Sequence, residues 1–127
     1  MIGTSRKVSK AWQDDEIEDA LVANLKISKI SARAYLFSVR RRKTSSHELR
    51  DYLQISGDEA DSLVAQLIEY GLGIKSVEEG LYQVVHPRMG LTNILNLLYP
   101  NPRSRPKDTR LAVDRMAMKL TKIYDDF

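Results

Sequence analysis

The residues of this chain best suited to chemistry form two groups of opposite charge. Arg40, Arg41, Arg42 and Lys43 make a basic run just ahead of Ser45-Ser46-His47-Glu48, whereas the segment Gly57 to Tyr70 carries Asp58, Glu59, Asp61 and Glu69 with no Lys or Arg. Clustered cations suit the neutralisation of a phosphate backbone, and carboxylates oppose it. Ser45, Ser46, His47 and Glu48 have the types of a nucleophile with its base. Consecutive residues at a helix start point in different directions, however, and a catalytic relay needs directed hydrogen bonds; a helix cap explains them better. His47 and His86 are the only histidines and do not share metal-ligand spacing, and the absence of cysteine removes thiolate metal sites, disulfides and cysteine nucleophiles. Gly71-Leu72-Gly73 has no phosphate-loop pattern, and Met116 with Met118 reads as helix packing. The expectation is a non-enzyme with no cofactor and no metal.

The 127 residues, 43% hydrophobic and 29% charged, suffice for one small core. No run approaches the roughly 20 apolar residues of a membrane span. The basic N-terminus, with Arg6, Lys7 and Lys10, lacks the apolar stretch of a secretory signal, so a cytoplasmic protein without membrane partners is expected. A net charge of +3 decides nothing alone, but its distribution is blocked. Asp14 to Asp19 is acidic, Lys26 to Arg50 basic, Asp51 to Glu79 acidic, and Arg88 to Arg110 positive again through Arg103, Arg105 and Lys107.

These groups must be carried by elements whose periods are legible. Ile17, Ala20, Leu21 and Leu25 give Asp14 to Leu25 a helical stripe, with acids in its first turn. Ser28 can cap a second helix from about Lys29 to Arg41, with Ile30, Ala34 and Phe37 on its buried face and Tyr35 and Leu36 as further candidates. Ser45 with Glu48, and Ser56 with Glu59, have the spacing of capping boxes and predict two short helices. The first carries Leu49, Tyr52 and Leu53 inward; the second carries Ala60, Leu63, Val64, Leu67 and Ile68, and stops at Gly71. Ile74 to Val77 and Leu81 to Val85 around Glu78-Glu79-Gly80 predict a β-hairpin. Met89 to Leu98 is an apolar helix lined by Leu91, Ile94, Leu95 and Leu98. Residues 99–106 hold three of the four prolines and predict a stiff linker. From Lys107 or Asp108 onward, Val113, Met116, Leu120, Ile123 and Phe127 recur at spacings of three and four. That stripe fits either the chain's own first helix or, given a linker that projects it away, the same helix of a second chain; the latter is the expectation.

The run Lys26-Ile-Ser-Lys-Ile-Ser-Ala-Arg-Ala-Tyr-Leu-Phe, then Thr44-Ser-Ser-His-Glu-Leu, then Leu63 to Leu72 ending Glu-Tyr-Gly-Leu, then Leu81-Tyr-Gln-Val-Val-His-Pro, resembles the winged helix-turn-helix domain of TrmB-like archaeal transcription regulators over roughly Lys26 to Pro87. The resemblance implies DNA binding as a dimer, with the second motif helix in the major groove and a C-terminal helix joining the protomers. The expected architecture is thus α+β, mostly α: a basic N-terminal arm over 1–13, a winged helix-turn-helix domain over 14–98, the linker over 99–106, and a dimerisation helix over 107–127. The expected function is a DNA-binding transcriptional regulator acting as a homodimer on double-stranded DNA. Its candidate DNA-contacting residues are Arg40, Arg41, Arg42, Lys43, Ser45, Ser46, Arg50, Ser62, Gln66 and Lys75; its candidate dimer residues are Val113, Met116, Leu120, Ile123 and Phe127. The acidic second motif helix supports the alternative of a protein-interaction module that docks a basic partner.

Overall fold

The computed structural model describes residues 15–126. The expected basic arm and Phe127 lie outside the described residues. A first helix, α1, covers 15–25. It is followed by α2 (Lys29–Arg41), β1 (Lys43–Ser45), α3 (Ser46–Leu53), α4 (Gly57–Glu69), β2 (Gly73–Lys75), β3 (Leu81–Val84), α5 (Pro87–Leu98), a 3-10 turn (Pro102–Ser104) and α6 (Lys107–Asp125). The molecule is therefore α+β and mostly helical, with one small antiparallel sheet in the order β1-β3-β2. No helix among the described residues is long and apolar enough to cross a membrane.

The helix starts obey the short-range chemistry expected of them. Ser28, Ser45 and Ser56 each accept a hydrogen bond from the backbone N–H three residues on, and at Ser45 the Glu48 carboxylate closes the box by accepting from the Ser45 N–H. Replacing Ser45 with Ala leaves the Glu48 N–H without its acceptor and should cost about 1 kcal/mol, read as a lower urea midpoint at unchanged slope. Gly71 ends α4 at φ +82, where an added Cβ would sit 2.6 Å from Asn93 Cβ. The same asparagine donates from Nδ2 to the Gly71 carbonyl at 2.7 Å, tying the end of α4 to α5.

The core is built from Leu21 and Leu25 of α1, Ala34, Tyr35, Leu36 and Val39 of α2, Leu49, Leu63 and Leu67 of the next two helices, Tyr82 and Val84 of β3, and Leu91, Ile94, Val113, Met116 and Leu120 of α5 and α6. Glu18 is also buried, with its carboxylate accepting from Arg33 Nε at 3.1 Å. That contact holds the Arg33 guanidinium pKa above its usual value. Burial pushes the phenols of Tyr35 and Tyr82 well up, and the Tyr82 hydroxyl meets that of Ser38 inside the core.

Several expectations are corrected. Ile30 is 36% exposed and Phe37 only half-buried, because α2 turns Ser31, Ala32, Tyr35, Leu36, Ser38 and Val39 inward along with Ala34. Tyr52 lies outside, stacked on Phe37 with ring centroids 4.3 Å apart. The first hairpin strand stops at Lys75, leaving Val77 in the turn and fully exposed. The sheet's third strand, β1, went unpredicted.

The largest correction concerns the C-terminal helix. Rather than being projected away, α6 folds back onto α2 and α5, and Val113, Met116 and Leu120 sit in the chain's own core with Ile123 half-buried beside them. The 3-10 turn lets the proline-rich segment reverse direction instead of extending. Arg42 fastens the far end, donating from Nε and Nη2 to the Tyr124 carbonyl at 3.0 and 2.6 Å, with its guanidinium carbon 4.1 Å from the centre of the Tyr124 ring. A cation at that position complements the negative end of the α6 dipole. These stripe residues are thus unavailable as a surface seam for a second chain.

Candidate functional site

The outward face of α4 follows from its inward one. With Ala60, Leu63 and Leu67 buried at helical spacing, Asp58, Glu59, Asp61, Ser62, Ala65, Gln66 and Glu69 are exposed. Among the described residues, four carboxylates thus share this face of α4 with two neutral polar side chains and no cation. Ser62 and Gln66 line a groove of about 350 Å³ between α4 and the start of α2, together with Ile30, Leu63, Asp58 and Glu59. The Gln66 carbonyl oxygen accepts from the Ser31 hydroxyl at 3.0 Å, which leaves the amide NH₂ as the group facing out. A bidentate reading of adenine uses both ends of a glutamine, so Gln66 offers a donor more readily than a full pair.

The basic run is dispersed by the fold. Arg42 is held on α6, as described above. Arg41 pairs with the Glu48 carboxylate and lies over the Phe37 ring, with its guanidinium carbon 5.3 Å from the centroid. Lys43, on β1, donates to Glu78 in the hairpin turn at 2.7 Å. Arg50 bridges His47 Nδ1 at 2.8 Å and Asp51 at 3.3 Å. Arg40 and Lys75 are exposed.

No protein-family model, curated protein or solved structure matches the chain.

The remaining candidates are shaped by capping. The Ser45 hydroxyl is engaged with the Glu48 backbone and Ser46 is half-buried in the first turn of α3. His47 faces Arg50 and, at 3.5 Å, Asp51, so the structure directs its ring away from the serines that precede it. The sequence-derived set is therefore split between an acidic, groove-bearing α4 face and a surface on which Arg41, Lys43 and Arg50 are partly neutralised by Glu48, Glu78 and Asp51. Surface ion pairs of this kind are weak, at about 0–1 kcal/mol each, so a phosphate can displace the carboxylate partner. The positive stretch from Arg88 to Arg110 is legible in the sequence, but sequence reasoning missed that Arg88 of α5 lines one pocket with Arg105, Lys107 and Arg110.

Proposed function

We propose that this chain is a winged-helix DNA-binding regulator of the TrmB-like kind. The observation that carries the reading is the order α2-β1-α3-α4-β2-β3 with strands arranged β1-β3-β2. That order presents α4 as a helix after a short turn and the β2-β3 hairpin as its neighbouring wing. In this reading Arg40, Arg41, Lys43, Arg50 and Lys75 supply phosphate contacts, the start of α3 at Ser45 and Ser46 adds backbone amides, and Ser62 with Gln66 faces the bases. Arg42 serves the fold. A homodimer on a two-fold site also belongs to this proposal, and its contact must lie outside the buried stripe. Leu111 and Met118, 50% and 56% exposed and seven residues apart on α6, are the large apolar side chains of that helix left outside.

The test is fluorescence anisotropy of a labelled duplex at several salt concentrations. Binding that weakens steeply with salt, and whose slope falls when Arg41 and Lys43 are replaced by Gln, supports the proposal. Absence of binding at low salt overturns it.

The four carboxylates on α4, which form no ion pair among the described residues, favour a second reading, in which the same fold docks a basic protein segment along α4. In that case a basic peptide, and not a duplex, protects the α4 amides from hydrogen exchange.

A further inference from the structure

Between α5 and α6 lies a half-open pocket of about 470 Å³. Its lining includes the apolar side chains of Leu91, Leu95, Leu111 and Val113, and four cations: Arg88 from the first turn of α5, Arg105 from the proline-rich connection, and Lys107 and Arg110 from the first turn of α6. Asp114 is the one carboxylate in the lining. Elsewhere cations find acids, as Arg33 does with Glu18, Arg41 with Glu48 and Lys43 with Glu78. Arg88, Lys107 and Arg110 form no ion pair among the described residues. Four guanidinium and ammonium groups around one pocket, against the single Asp114 carboxylate among the described lining residues, repel one another, and an anion between them relieves that repulsion.

Arg105 adds an independent observation. Its Nη2 donates to Asn96 Oδ1, while its Nε is buried and has no hydrogen-bond partner among the described residues. A buried guanidinium N–H without an acceptor is costly, and a small shift of the side chain toward the pocket would let an anion satisfy it. The start of α6 offers more donors, because Pro106 occupies the cap position and provides no side-chain acceptor for the first free amides.

We propose that this pocket binds a phosphorylated small organic molecule. The phosphate oxygens lie among Arg88, Arg105, Lys107 and Arg110, where planar guanidinium groups can donate in pairs, and the organic body rests on Leu91, Leu95 and Leu111. The volume is that of a small-molecule site. The proposal is independent of what α4 binds.

Isothermal titration of the full chain in physiological salt, with pyrophosphate for the head and adenosine diphosphate for head plus body, tests it. The expected result is single-site binding of both at submillimolar affinity, weakened at least about tenfold in Arg110→Ala and in Arg88→Gln. Lys29→Ala, whose ammonium pairs with Asp19 and does not line the pocket, should leave affinity unchanged, and Leu111→Ala should weaken adenosine diphosphate more than pyrophosphate. Arg88 and Arg110 are both exposed, and thermal melts of the variants check that they fold. No saturable binding, or equal weakening by Lys29→Ala, overturns the site. So does a duplex that displaces pyrophosphate and loses affinity in parallel in Arg88→Gln and Arg110→Ala, because that surface would then be a contact for a nucleic-acid backbone.

Discussion

Leu120→Ala should lower the stability of the isolated chain by about 3 kcal/mol, the middle of the range for emptying a fully buried leucine site. Leu120 is 0% exposed and belongs to the stripe with Val113, Met116 and Ala117 that faces α2 and α5. Urea unfolding followed by circular dichroism measures the change. The loss caused by Leu120→Ala should be the same at every protein concentration, because the stripe is covered by its own chain. A loss that shrinks on dilution would mean that a second subunit covers it. Leu120→Glu separates the two cases more sharply. A charge buried in this core without a partner should unfold the protein, whereas at a seam between subunits it would yield folded monomers by light scattering.

Asp61→Lys combined with Glu69→Lys should raise duplex affinity more than tenfold at low salt if α4 lies against DNA. Both positions are exposed on the outward face, so the substitution removes two repulsions and adds two attractions at little expected cost to the fold. Each charge near a phosphate is worth about 1 kcal/mol even in water. Two new phosphate contacts should also steepen the logarithmic salt dependence by about two. Anisotropy titrations of the variant and the parent chain at four salt concentrations give both quantities. An unchanged affinity with an unchanged slope would remove α4 from the DNA face and leave its acids as a docking surface for a basic protein. Asp58 and Glu59 are left intact because they lie in the first turn, where carboxylates favour the helix dipole.

The sequence by itself determined whatever depends on neighbours within about four residues. The caps at Ser28, Ser45 and Ser56 place the starts of α2, α3 and α4, because a serine hydroxyl satisfies an amide three residues away whatever the rest of the chain does. Gly71 marks the end of α4 for an equally local reason, its positive φ. The periods of Ala60, Leu63 and Leu67, and of Leu91, Ile94 and Leu95, show which faces must be buried.

Only the tertiary structure decided what those faces are buried against. Lys43-Thr44-Ser45 is too short and too polar to read as a strand, and it becomes one because β3 lies alongside with Thr44 opposite Tyr82. The Val113 to Leu120 stripe states that α6 needs a partner. A three-four rhythm is the same whether that partner is the chain's own α2 and α5 or a second molecule, and the choice rests on a connection that turns back at Pro102–Ser104. Charge behaves likewise. The run Arg40 to Lys43 looks like one patch in sequence, yet successive residues leaving a helix for a strand point apart, so Arg42 reaches α6 while Lys43 reaches the hairpin turn. Conversely, Arg88 and Arg110 are remote in sequence and share a pocket, because electrostatic proximity is a property of packed helices, which no window along the chain contains.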